Sequence, residues 1–102
     1  MRFVYLIKNT EDDTYKIGIA KQPNQRLKQL QTGNSAELII IETYQTDISS
    51  KIEKVLHRNY GTSRKCGEWF TLSLVDELDF IKRCEEIEKS IRFLQDNGNV
   101  FA

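Results

Sequence analysis

The sequence predicts one small α/β domain, with three strands flanked by helices and a long helix at the end. Three observations predict it. Residues 2–8 and 14–20 are β-type runs joined by a short polar connection, residues 37–44 hold a third around Leu38-Ile39-Ile40-Ile41, and apolar residues recur at helical spacing over 48–60 and 74–96. A chain of 102 residues has room for one core and not for two, so residues 1–102 are read as a single domain. At 39% hydrophobic and 29% charged the composition is that of an ordinary globule rather than a disordered chain.

In the first run Phe3, Tyr5 and Ile7 share one face and Val4 and Leu6 the other. Both faces are apolar, which predicts a covered, central strand. Asn9 to Asp13 is short enough to close a hairpin with Thr14 to Ala20, where Tyr15, Ile17 and Ile19 face one way and Lys16 and Gly18 the other. Gln22-Pro23 then opens a short helix, with proline where its missing N–H matters least, and Leu27 and Leu30 give its apolar side. Thr32-Gly33-Asn34 stops it.

Glu37 to Tyr44 is expected to be a largely buried third strand. Thr46 or Asp47 caps a second helix, whose stripe is Ile48, Ile52, Val55, Leu56 and Tyr60. Glu53 and His57 lie four apart on that helix, so they project along nearly one line. A polar, basic loop, Gly61 to Gly67, leads to Glu68-Trp69-Phe70, where two aromatic anchors are expected to plug the core and fix Glu68. Ser73 and Asp76 form a capping box for the final helix, about residues 74–96, with Leu74, Leu78, Ile81, Cys84 or Ile87, Ile91 and Leu94 on its buried side.

The formal net charge is zero, which argues against holding nucleic acid by an overall field. The charges are nevertheless uneven: residues 1–35 carry six bases and three acids, residues 51–65 five bases and one acid, and residues 67–102 eight acids and four bases. A basic face forms if the first and third stretches meet, and its candidate DNA contacts are Lys21, Lys28, Arg58, Arg64 and Lys65. Cys66 and Cys84 make neither a disulfide framework nor a zinc motif, and no run has the length of a membrane span or a signal peptide. The expected location is the cytoplasm, with no membrane partner.

A compact cluster of Tyr5, Tyr15, Lys16, Arg26, Glu53 and His57 would contain the parts for phosphodiester cleavage. A carboxylate can hold a divalent cation, arginine can stabilise charge on phosphate, and tyrosine, lysine or histidine can organise proton transfer with water. Arg26 stands in the first turn of its helix, where a cation opposes the helix dipole; a bound anion would offset that.

In the order of its motifs the chain resembles the GIY-YIG nucleases, most closely a compact phage and prophage branch. The resemblance covers roughly residues 3–72 and rests on Val4-Tyr5-Leu6, Tyr15-Lys16-Ile17-Gly18, Arg26, Leu30-Gln31-Thr32-Gly33-Asn34, Ile52-Glu53-Lys54-Val55-Leu56-His57 and Gly67-Glu68-Trp69-Phe70. It implies a small three-stranded mixed or antiparallel sheet with flanking helices, and metal-dependent cleavage of DNA with Mg²⁺, or Mn²⁺ in its place. It implies Tyr5 as the first-motif tyrosine, Arg26 as the helix arginine and Glu53 as the metal ligand. Lys16 stands where the second-motif tyrosine is usual, with Tyr15 and Glu68 as supporting groups and His57 as an added acid or proton relay.

The leading expectation is a Mg²⁺-dependent DNA endonuclease. The alternative is a catalytically inactive module on the same fold that binds nucleic acid or protein, and the acidic final helix is a candidate surface for a protein partner or a homo-oligomer.

Overall fold

The structure, a computed structural model, describes residues 1–61, 64–66 and 69–97, with the backbone alone for 64–66. Its strands are β1 (Arg2–Asn9), β2 (Thr14–Ala20), β3 (Leu38–Thr46), β4 (Arg64–Cys66) and β5 (Trp69–Thr71), and its helices are α1 (Pro23–Thr32), α2 (Ser49–Asn59), α3 (Leu74–Leu78) and α4 (Phe80–Asp96). The architecture is α+β. One sheet runs in the order β3-β1-β2-β5-β4, and every pairing in it is antiparallel.

Alternation along the strands decides what lies on each face. Val4, Leu6, Tyr15, Ile17 and Phe70 point to one side and pack under Ile52 and Leu56 of α2 and Phe80, Cys84, Ile87 and Ile91 of α4. Tyr5, Ile7 and Leu38 point to the other, where Leu27 and Leu30 of α1 cover them. β1 is buried on both faces, as its two apolar sides require, and lies between β2 and β3. The hairpin closes through Asp12, whose Oδ1 accepts from the Thr14 N–H and hydroxyl, and through Asp13 at φ 56°, a left-handed position that a short polar residue tolerates.

The sheet exceeds the three strands expected. β5 extends β3-β1-β2 to four and the three-residue β4 pairs outside it; segments this short hold too few residues for alternation to be read. β3 is the outer strand beyond β1, so its apolar run is less buried than expected: Leu38 is enclosed, Ile39 exposed, and Ile40 and Ile41 are half-buried. The second helix is capped differently. Its N-cap position is Ile48, with no side-chain cap, and the Thr46 hydroxyl accepts from the Ile48 N–H just outside it.

The long final helix is two helices. The capping box of Ser73 and Asp76 is present, but it opens the five-residue α3, and α4 starts beyond Asp79. That break turns Leu74 and Leu78 out to solvent and makes Phe80 the first buried residue of α4. Of the expected stripe, Cys84, Ile87 and Ile91 are buried and Leu94 is exposed. No helix among the described residues is long and apolar enough to cross a membrane.

Glu88 fastens α4 to the end of β3. It accepts from the Tyr44 and Thr46 hydroxyls at 3.1 and 2.7 Å and from Arg92 Nε at 3.0 Å, and Arg92 also reaches Asp47. Burial alone pushes the Glu88 carboxyl up, but the hydrogen bonds from Thr46, Arg92 and Tyr44 outweigh it and hold it below its usual value. Burial, with Glu88 alongside, pushes the Tyr44 phenol up to about 12.

Two outcomes are expected. A carboxyl held low in the fold contributes stability that is complete above its unfolded value of 4.5 and lost as pH falls through the folded one. The melting midpoint should therefore drop on acidification below that value, and Glu88→Gln should flatten part of the drop. Phe70 is wholly enclosed while Trp69 is half-buried, so Phe70, rather than the tryptophan, is the main plug. In urea unfolding Phe70→Ala should cost about 3–5 kcal/mol, and Trp69→Ala less.

Candidate active site at the end of the second strand

β2 is longer than its outer neighbour. Its ladder with β1 continues to Ala20, whereas its ladder with β5 ends at Lys16 opposite Trp69. Residues 17–20 therefore lie beyond the last β5 pairing among the described residues.

On the α1 face, Tyr5 stands directly across from Gly18. A Cβ built on Gly18 would lie 2.3 Å from Tyr5 Oη and 2.5 Å from Cζ, closer than any real contact. The glycine is thus the slot in which the phenol rests, and it brings the hydroxyl onto the end of β2. Lys16, one pleat back on the same face, is only 8% exposed. Its ammonium stands 5.8 Å from the centre of the Trp69 ring.

α1 begins three residues beyond Ala20. Pro23 occupies its first turn, no acidic residue does, and no side chain caps it. Arg26 lines a shallow hollow of about 350 Å³ with Ala20, Lys21, Gln22, Gln25 and Gln29. Among the described residues its one side-chain bond is a long one, 3.3 Å, from Nη1 to Gln29 Oε1, and it has no carboxylate partner there. A helix N-terminus, Arg26 and Lys21 leave this end of the sheet electropositive.

On the opposite face α2 runs beside the same strand. His57 Nε2 is 2.8 Å from the Ile17 carbonyl, just past the last β5 pairing, and its ring meets Phe70 edge-on at 5.2 Å. A carbonyl only accepts, so Nε2 carries the proton and donates. This bond sets the height of α2 against β2. β3 ends opposite the start of β1, where Ala20 also lies, so α2 starts at that end; Lys21 shares a hollow there with Ser49 and Ser50. Glu53, one turn before His57, is therefore displaced toward Ala20 by about 5 Å. It is half-buried and makes no hydrogen bond or ion pair among the described residues.

The structure thus brings Tyr5, Lys16 and Arg26 to one face of the end of β2, and His57 and Glu53 to the other. Tyr15 is not brought there. It points to the α2 and α4 face near the hairpin, where its hydroxyl donates to Glu77 Oε1 at 2.6 Å and Lys8 lies over its ring. Burial first, and then Glu77, raise its phenol above the usual value. Lys21 and Lys28 are exposed on the α1 side, but Arg58 faces a groove between α2 and α4. The side chains of Arg64 and Lys65, and the whole of Glu68, lie outside the described residues.

No group of three histidine, cysteine, aspartate or glutamate side chains that could hold a metal occurs among the described residues. Sequence reasoning also missed Trp69 as the residue beneath Lys16; its signal was the placement of an aromatic pair next to a strand end.

The model of the T5orf172 domain matches residues 2–94. The chain belongs to the T5orf172 family. Comparison with the curated proteins and with the solved structures gave no match. The match spans every element that shapes the end of β2 in this T5orf172 domain, from β1 into α4.

The pairing of Tyr5 with Gly18 predicts a non-additive double mutant. Gly18→Ala should cost about 1–3 kcal/mol in urea unfolding through overpacking. In a Tyr5→Ala background, where the phenol is gone, the same substitution should be nearly neutral.

Proposed function

We propose that this domain is a divalent-metal-assisted endonuclease acting on DNA phosphodiesters. The carrying observation is the placement of Tyr5, Lys16, Arg26, Glu53 and His57 about the end of β2 beyond its last β5 pairing among the described residues. The T5orf172 domain is of a nuclease-like, phage-associated type, which supports the reading, as does the resemblance of the motifs to the GIY-YIG nucleases.

Arg26 binds the nonbridging oxygens of the scissile phosphate and stabilises the charge that grows there in the transition state; the free N-terminus of α1 adds to that field. The Tyr5 hydroxyl, fixed by Gly18, and the Lys16 ammonium, fixed by Trp69, hold and polarise the attacking water from one side. His57 positions Glu53 through its bond to Ile17, and because Nε2 is committed there, only Nδ1 can relay a proton. Lys21 and Lys28 guide the DNA backbone along α1.

The donor set fits Mg²⁺ or Mn²⁺. One carboxylate, Glu53, which has no partner among the described residues, suffices where phosphate oxygens and waters would complete an octahedron. When bound, the ion supplies Lewis-acid stabilisation of phosphate charge.

Incubation with supercoiled, linear and branched DNA in Mg²⁺ or Mn²⁺ should give nicking. Arg26→Ala and Glu53→Ala should each reduce it by about 10²-fold or more with an unchanged unfolding midpoint. Folded protein that binds DNA but never nicks it would replace this reading with that of an inactive binding module. Full activity in both variants would refute the site assignment.

A further inference from the structure

The face of α2 turned away from the β2 edge borders a groove of about 610 Å³ against α4. Among the described residues its cations are Lys51, Lys54, Arg58 and Arg83 and its one acid is Glu86, with Asp79 next to Arg83 in the adjoining hollow. None of the four cations has a carboxylate partner among the described residues, although the chain as a whole is electrically balanced. The floor between them is aliphatic, formed by Val55 and Leu94 and the outer edges of the buried Ile87 and Ile91. Beyond Leu94 the apolar strip continues to Phe93, which is 65% exposed, next to Lys89.

We propose that this groove docks an acidic amphipathic helix of a partner protein. Four cations without a carboxylate partner among the described residues, flanking an apolar floor, match a helix with a leucine-type stripe and carboxylates on both sides of it. A DNA backbone would satisfy the cations but leave the apolar strip uncovered. The surface is separate from the end of β2, because Lys51, Lys54 and Arg58 leave α2 on a different side from Glu53 and His57. The inference therefore stands independently of nuclease activity.

The test is fluorescence anisotropy of the full chain with a labelled, designed helical peptide carrying leucines at i, i+3, i+4 and i+7 and glutamates elsewhere. Its controls are a scrambled peptide of the same composition and a version with lysine for every glutamate. The glutamate peptide should bind about tenfold or more tightly than either control, and Arg83→Glu and Lys51→Glu should each weaken it about tenfold at an unchanged melting midpoint. Binding should also weaken with salt. Equal binding of the three peptides would overturn the proposal. So would displacement of the peptide by a duplex oligonucleotide, which would make the groove a DNA surface. Self-association in sedimentation that both variants abolish would overturn it too, by naming a second copy as the occupant.

Discussion

The candidate site depends on the crossing of Tyr5 over Gly18. Residues directly opposite in an antiparallel pair carry side chains on the same face only 4.5–5.5 Å apart, so an ordinary residue at position 18 would push the tyrosine off the sheet. Without a Cβ at that position the phenol lies flat, and its hydroxyl arrives at the end of β2. The glycine of Lys16-Ile17-Gly18 therefore serves the tyrosine of the neighbouring strand. Val4-Tyr5-Leu6 and Lys16-Ile17-Gly18 are two halves of one steric fit.

A second constraint follows from the layers. Tyr5, Lys16 and Arg26 lie on the α1 face, while Glu53 and His57 belong to a helix on the other. A covered sheet would keep these sets apart. The three-residue β5 pairs with β2 no further than Lys16 among the described residues, and the bond from His57 to the Ile17 carbonyl ties α2 to the part of β2 beyond that pairing.

Much of this was legible in the sequence, because alternation reports faces. The separation of Tyr15 from Lys16 and Gly18, the central position of β1 and the common line of Glu53 and His57 follow from periods of two and 3.6 residues. What was not legible involves partners far along the chain or segments too short to show a period. Nothing near Tyr15 announces that Glu77 will take its hydroxyl. Leu74, Leu78 and Ile81 continue a helical stripe through the break at Asp79, where neither glycine nor proline marks the end of α3. The apolar run of β3 reads as buried, because sequence pattern does not tell an outer strand from an inner one.

The central claim is that groups from both faces of the sheet act together at the end of β2. Paramagnetic broadening by Mn²⁺ in the amide NMR spectrum tests it most directly. Substoichiometric Mn²⁺ in the presence of a short DNA duplex should selectively broaden the amides of Gly18, Ala20 and Glu53, and Glu53→Gln should remove the effect. Broadening confined to the exposed acids of the hairpin turn or of α4, with Gly18 and Glu53 untouched, would contradict it.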